Sequence, residues 1–243
     1  MSEADAKAFE ELADLEHDFG KAELEILKKQ NEVFKPLFAK RRDILKNIKN
    51  FWVIVLEAAG DEISQYITPD DSVLLENLQN LYVERPDENE PRNLRITMSF
   101  LKNDFLQDDS LTLEKNVRIE ETKELDEEGL EKTTTRYVSE PVKINWKAGK
   151  SLNRKNKNSP PGFFDFFEWT GEEDREEFDG AELAIFLAED LFPNAVKYFT
   201  ETMSEELGDD DESSVDLEED EEEEDDEDEA SEKPPAKRSR KSD

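Results

Sequence analysis

Ala8, Leu12, Leu15, Phe19, Ala22 and Ile26 recur at alternating spacings of four and three, and Val33 resumes the same seven-residue rhythm after a break at Lys29. An a/d seam sustained over more than three heptads restricts this segment to a long amphipathic helix, because strands and loops do not present that period on one side. At about 1.5 Å per residue the first piece of helix is about 45 Å long, which exceeds the width of a small domain. One small domain cannot cover so long a stripe. Parallel or antiparallel pairing of two copies would bury it, so these seven residues are the expected homodimer contacts. The alternative is a helix laid across the chain's own sheet. Pro36 interrupts the pattern, and a kink or junction is expected near Phe34. A second amphipathic pattern through Leu37, Ile44, Ile48, Phe51, Trp52 and Val55 carries the helical segment to residue 57.

From about Gln79 to Trp146 the period changes to two. In "NLRITMSF" Leu94, Ile96, Met98 and Phe100 alternate with Asn93, Arg95, Thr97 and Ser99; in "PVKINW" Val142, Ile144 and Trp146 alternate with Lys143 and Asn145. The intervening "NVRIEETKELDEEGLEKTTTRYVSE" has the pattern of two strands around a turn at "DEEG". Strict alternation predicts an antiparallel sheet with one buried face and one wet face. The wet face carries Arg95, Arg118 and Glu120, a mixture of charges. Residues 180–207 return to helix: "GAELAIFLAEDLF" stops before Pro193, and "NAVKYFTETMSEEL" sets Val196, Phe199 and Met203 at helical spacing behind Asn194 as cap. Helix, consecutive strands and helix again make an α+β order. The expected divisions are a helical dimerisation segment 1–57, an α+β domain 58–208, an acidic tail 209–229 and a basic end 230–243.

Residues 209–229 hold 17 acidic residues and no basic one. Such a stretch buries too little surface to offset its ordering entropy and is expected to be disordered. Residues 230–243 carry five basic and two acidic residues, so the final 35 residues contribute −14 to the formal net charge of −34 and leave −20 on residues 1–208. Charge of this sign repels phosphates at range. Direct nucleic-acid binding is thereby excluded as the main activity, and a strongly basic partner is indicated. The chain has no cysteine, which removes thiolate chemistry, disulfides and cysteine-based zinc sites. The longest apolar run, "FWVIVL" at 51–56, falls well short of the roughly 20 residues that span a bilayer. The acidic start "MSEADAKAFEELADLEHDFG" lacks the basic and apolar parts of a signal peptide. A soluble, intracellular protein with no membrane partner is expected. His17, the single histidine, sits between Glu16 and Asp18 on the long helix. No Gly-rich phosphate loop, nucleophile–base pair or metal spacing stands out, so neither catalysis nor a cofactor is expected.

"SPPGFFDFFEW", residues 159–169, concentrates four phenylalanines and a tryptophan in this acidic chain. Wound at about 100° per residue, the four rings share one arc while Asp165 and Glu168 fall outside it. A base-stacking platform needs interleaved cations, and here the interleaved residues are acidic. The cluster is therefore expected to be core.

At this motif the chain resembles the nucleosome assembly protein family, whose members carry a Phe-rich "SFFNFF"-like segment in the same position. The likeness is greatest to the SET, or template-activating factor, branch, which includes fungal Vps-type histone chaperones. "KPLFAKRRDILKNIKNFWV" (35–53) is similar to that branch's junction between helix and globular part. "INWKAGKSL" (144–152) resembles its strand end and basic loop, and "DLFPNAVKYF" (190–199) its final helices. With the acidic tail, the resemblance covers almost the whole chain in order. It implies a homodimer held by a long backbone helix, two α+β "earmuff" domains, and core histones bound on acidic surfaces with help from the tails. The function so implied is nucleosome assembly and disassembly with either or both core-histone pairs, variants included. Other chromatin factors are further partners of that class, and inhibition of a phosphatase is the alternative that the SET-like resemblance carries. A calcium buffer built on the tail is a third.

The candidate histone-binding residues are Glu172, Glu173, Asp174, Glu176 and Glu177 behind the aromatic turn. In the tail they are Asp209, Asp210, Asp211, Glu218, Glu219 and Asp220, a polyanion able to compete with DNA phosphates for histone lysines. Residues 141–164 contain no acidic residue and carry Lys143, Lys147, Lys150, Arg154, Lys155 and Lys157, a basic loop able to touch DNA weakly or to be masked by the tail. "KPPAKRSRK" offers Lys233, Lys237, Arg238, Arg240 and Lys241 to a nuclear import receptor, giving a nuclear location with shuttling to the cytoplasm. Ser213, three residues before Asp216, has the spacing of an acid-directed phosphorylation site.

Overall fold

In a computed structural model that describes residues 3–125, 131–154, 160–172 and 178–207, helix α1 runs from Glu3 to Leu45 without interruption. Pro36 lies inside it. A proline in a helix removes one donor and crowds the carbonyl four residues back, here that of Glu32. The path is held on the far side by contacts to the body: the Phe38 ring lies 4.8 Å from that of Phe192. Arg41 donates to the carbonyls of Phe192 and Pro193 at 2.6 and 2.9 Å. Burial lowers the Arg41 guanidinium to about 10, which leaves it charged at neutral pH. The chain turns instead at Lys46–Asn50, where Asn50 takes a left-handed φ of 58°, a conformation asparagine tolerates better than most residues. The junction therefore falls ten residues or more beyond the expected site at Phe34, and α2 (Phe51–Ala58) is a separate helix.

Two short helices follow, α3 (Asp61–Ser64) and α4 (Pro69–Leu75). Helix α4 opens with Pro69 in its first turn and a reciprocal cap, in which Thr68 Oγ1 accepts from the Asp71 amide and Asp71 Oδ2 accepts from the Thr68 amide. Strands β1 (Leu78–Glu84), β2 (Leu94–Phe100), β3 (Thr112–Leu125) and β4 (Glu131–Ser139) form an antiparallel meander in that order. Leu94, Ile96, Met98 and Phe100 are buried, as their alternation requires. Residues 126–130, with the expected "DEEG" turn, lie outside the described residues; β3 and β4 pair up to Leu125 and Glu131.

"PVKINW" is not a fifth strand. Ile144 is buried, Val142 and Trp146 are half-buried and Lys143 and Asn145 are exposed, so the alternation in burial is real. The segment runs against loops rather than a sheet edge: Trp146 makes one isolated bridge to Leu106, and the Val142 amide donates to the Phe167 carbonyl at 2.7 Å. Period two reports an extended segment with one side covered, and the cover here is not a ladder.

The aromatic stretch forms a 3₁₀ turn, Phe163–Phe167, rather than α-helix. With three residues per turn, Phe163 lies above Phe166, Phe164 above Phe167, and Asp165 and Glu168 share the third row. All four phenylalanines are fully buried, so the cluster is core, as expected. Asp165 and Glu168 on the third row bond to the preceding loop: Asp165 Oδ1 accepts from the Arg154 amide at 3.0 Å and Glu168 from the Asn153 side chain. Helix α5 (Gly180–Phe186), capped by Asp179, continues through a π-helical turn at Leu187–Leu191, and α6 (Ala195–Leu207) ends the described chain. Asn194 starts α6 with its carbonyl, while its side chain donates to Asp190. Phe199 of α6 stacks on Phe51 of α2 at 4.9 Å, but Val196 remains exposed.

Two buried polar groups pin the aromatic turn. Lys115 occupies an inward position of β3 between Leu113 and Val117 and is fully buried. Its ammonium donates to the carbonyls of Glu140, Phe167 and Trp169 at 2.9, 2.9 and 2.6 Å. Asp71 is 1% exposed, and its Oδ2 also accepts from the Phe163 amide at 2.9 Å. Gly162 permits this approach, since a Cβ there would lie 2.6 Å from that oxygen.

Candidate functional site

The apolar seam of α1 stands open in the single chain. Leu12, Leu15, Phe19, Ile26 and Val33 are 54, 50, 55, 67 and 48% exposed, and Ala8 and Ala22 are exposed beside them. Phe9, Leu37 and Ile44 lengthen the exposed apolar surface at both ends. The alternative of a helix lying across its own sheet does not describe this part of α1, since residues 11–19 are exposed on every side. Contact with the body begins further along, where Asn31 donates to the Arg85 carbonyl at 3.2 Å.

Charge along α1 is segregated. Residues 3–19 carry seven carboxylates and one lysine, whereas residues 28–46 carry seven lysines or arginines and two carboxylates. Local pairs such as Lys28–Glu25 at 2.7 Å and Lys46–Asp43 at 2.7 Å are exposed and contribute little. The end-to-end asymmetry acts on the orientation of a second helix. Parallel pairing would lay acid on acid, and antiparallel pairing would lay acid on base.

Charge is also segregated across the globular part. On the wet side of the sheet, among the described residues, Arg136 pairs with Glu120 at 3.2 Å, Arg118 with Glu140 at 3.5 Å and Arg95 with Glu114 at 3.5 Å. The helical layer differs. From Asn50 to Glu84 the chain has seven carboxylates and no lysine or arginine, and from Phe178 to Ser204 it has five carboxylates and one lysine. Among the described residues Glu57, Asp61, Glu62, Asp70 and Glu76 form no ion pair with any cation, whereas Glu189 pairs with Arg85 at 3.3 Å and Glu201 with Lys197 at 3.9 Å. Two tyrosines register the resulting field. Tyr198 donates to Asp190 at 3.1 Å, and its hydroxyl is pushed up to about 12 by burial, by that bond and by the charges of Asp190, Glu62 and Glu201. Tyr66 donates to Glu182 at 2.6 Å and is raised further, by burial first and then by Glu182 and Asp179.

The residues singled out in the sequence distribute unevenly over this frame. Glu172 is exposed, with its amide on Thr170 Oγ1 at 3.3 Å. Glu173, Asp174, Glu176 and Glu177 lie outside the described residues, as do Lys155, Lys157 and everything from residue 208 onward, including Ser213 and the basic end. In the basic loop, Lys147 donates to the Asn103 carbonyl and pairs with Asp108 at 3.6 Å, and Lys150 sits 5.4 Å over the Phe105 ring. These two lysines are thus engaged by the 103–108 loop. The carboxylates of α2–α4 were not singled out, although the absence of any cation from Asn50 to Glu84 was visible in the sequence. Among the described residues no cluster of three His, Asp or Glu side chains could hold a metal ion, and no helix is long and apolar enough to cross a membrane.

Comparison with known proteins places this geometry. Residues 45–202 match the nucleosome assembly protein (NAP) family. A Schizosaccharomyces pombe protein bearing a nucleosome assembly protein name is 69% identical over 242 residues, which span 98% of this chain and 99% of that one. The crystal structure of Ccp1 superposes with a TM-score of 0.78 at 70% identity, covering 82% of this chain and 97% of that one. The crystal structure of the Vps75 histone chaperone gives a TM-score of 0.63 at 27% identity, covering 82% and 98%.

Proposed function

We infer, from the premise that this chain belongs to the nucleosome assembly protein family, that it is a non-catalytic histone chaperone. It works as a homodimer in the nucleus, in nucleosome assembly and disassembly. The observation that carries this reading is the division of charge in the globular part: a sheet face whose described cations are already paired, and a helical layer in which Glu57, Asp61, Glu62, Asp70 and Glu76 meet no cation among the described residues. The unpaired carboxylates Glu57, Asp61, Glu62, Asp70 and Glu76 of α2–α4 and their flanks can stand in for DNA phosphates against the lysines and arginines of a free histone. The open seam of α1 and its charge asymmetry support an antiparallel dimer. Two copies would present two acidic bodies to a histone pair.

In this reading α1 (Glu3–Leu45) joins the subunits, the body from Phe51 to residue 207, α2 included, supplies the folded acidic surface, and 209–229 add a polyanion of 17 carboxylates. Residues 230–243 serve an import receptor. Attraction between such surfaces is screened over about 8 Å at physiological salt, so histones are held and released as competing DNA charge comes and goes. The test is sedimentation velocity of the full chain with each of the two core-histone pairs, separately, over a salt series. A dimer that binds at least one pair, with an affinity falling steeply as salt rises, is the expected result. A single subunit that ignores both pairs at moderate salt would reject the function.

A further inference from the structure

A pocket of about 290 Å³ opens in the helical layer between α2, α3 and α4. Its base is apolar: Leu56, Ile63 and Leu75 are buried there, with Val53 and Ile67 half-buried beside them. The exposed side chains that line it are Glu57, Asp61, Ser64, Ser72 and Glu76, and no Lys, Arg or His is among the lining residues. Gly60 lies at the opening, with nothing within 4 Å of the position of a Cβ. An open apolar hole edged by three carboxylates is a specific combination. Its volume lies at the small end of the roughly 300–1,000 Å³ of ligand sites, with room for an aliphatic side chain of a protein.

We propose that this pocket is an anchor for a basic segment of a core histone, in which one aliphatic side chain enters the pocket and flanking lysines or arginines meet Glu57, Asp61 and Glu76. The proposal rests on the chaperone function inferred above and adds a place and a chemistry to it. Charge complementarity selects the occupant. A second copy of this chain would bring a net charge of its own sign to three carboxylates, and a neutral peptide would leave them unmatched. A seated apolar anchor also does what a screened acidic surface does not: it fixes register and slows release, because desolvated contacts at the centre of an interface carry most of its energy while rim charges mainly steer.

The chain has no cysteine, so Ser64→Cys in the full-length protein takes a single environment-sensitive dye at the pocket, and Thr133→Cys on β4 takes the same dye as a remote control. Titrated with each core-histone pair, the dye at position 64 should change emission at the midpoint of complex formation while that at 133 stays constant. Ser72→Phe, which fills the pocket without altering charge, should weaken binding at least fivefold and leave the salt dependence unchanged. Glu57→Gln with Asp61→Asn and Glu76→Gln should weaken binding and flatten the salt dependence. If the wild type binds histones while Ser72→Phe binds equally and the dye at 64 is silent, the pocket is unused and the chaperone function stands without it. Emission at 64 that follows the protein's own concentration in the absence of histone assigns the pocket to a second copy and overturns the proposal. A wild type that binds neither histone pair removes the function and this inference together.

Discussion

Replacing Leu15, Phe19 and Ile26 together by asparagine tests the dimer at its centre. In the single chain these side chains are 50, 55 and 67% exposed. Full burial of such a side chain contributes about 1.5–3 kcal/mol, so covering the open half contributes about 0.75–1.5 kcal/mol each. A two-fold pairing uses every seam residue twice. Three substitutions therefore alter six positions and remove about 4.5–9 kcal/mol, which at about 1.4 kcal/mol per tenfold raises the dimer Kd by some three to six powers of ten. Sedimentation velocity at micromolar concentration should show the wild type as a dimer and the triple variant as a single subunit. The free half of α1 should lose helicity as well, because a helix without tertiary packing is marginal in water, so the variant's ellipticity at 222 nm should fall. A variant that stays dimeric with unchanged helicity would refute the assignment of this stripe as the interface. Orientation follows from single cysteines: Ala22→Cys near the middle of the seam should cross-link between subunits on oxidation, and Ala8→Cys should not if the helices run antiparallel.

Two buried groups carry the remaining predictions. Lys115→Met removes the donor shared by the carbonyls of Glu140, Phe167 and Trp169; Phe167 keeps the Val142 amide and Glu140 the Ser139 hydroxyl, so the Trp169 carbonyl is the one left unsatisfied, and the urea midpoint should drop by the equivalent of about 1–3 kcal/mol. A variant as stable as the wild type would show that the ammonium is not what holds the aromatic turn to β3. Asp71 is held above the usual carboxylate range, by burial first and by the charge of Asp165 in addition, against the opposing hydrogen bonds from Thr68 and Phe163. A carboxyl raised on folding binds its proton more tightly in the folded state, so its contribution to stability is full at acid pH and declines as pH climbs through the raised value. Melting temperatures of the wild type relative to Asp71→Asn should fall over that window and then level off; a difference that does not vary with pH would reject the linkage.

Local periods were readable directly. Heptad spacing from Ala8 to Val33 announces a long helix with an uncovered stripe, and strict alternation in "NLRITMSF" announces a half-buried strand, because both patterns are set by geometry within a few residues. The four phenylalanines could be placed in the core from their spacing alone, although the turn is 3₁₀ and not α. Pro36 does not end the helix, for a physical reason: a lone proline removes one hydrogen bond, and the contacts of Phe38 and Arg41 with Phe192 help to offset that loss at long range. "PVKINW" alternates as a strand would, yet what covers its apolar side is a loop and a 3₁₀ turn from elsewhere in the chain.

The sequence by itself determined that this is a long-helix α+β protein with an acidic body, since charge and hydrophobic period add up residue by residue. Which carboxylates remain free of ion pairs was decided only by the tertiary structure. Glu121 is matched because β3 sets it against Arg92, 29 residues away, and Glu120 because Arg136 lies opposite on β4. Glu57, Asp61 and Glu76 have no cation brought beside them by α2–α4, and they surround an apolar pocket instead. Neutralisation depends on neighbours distant in the chain, and no local pattern encodes it.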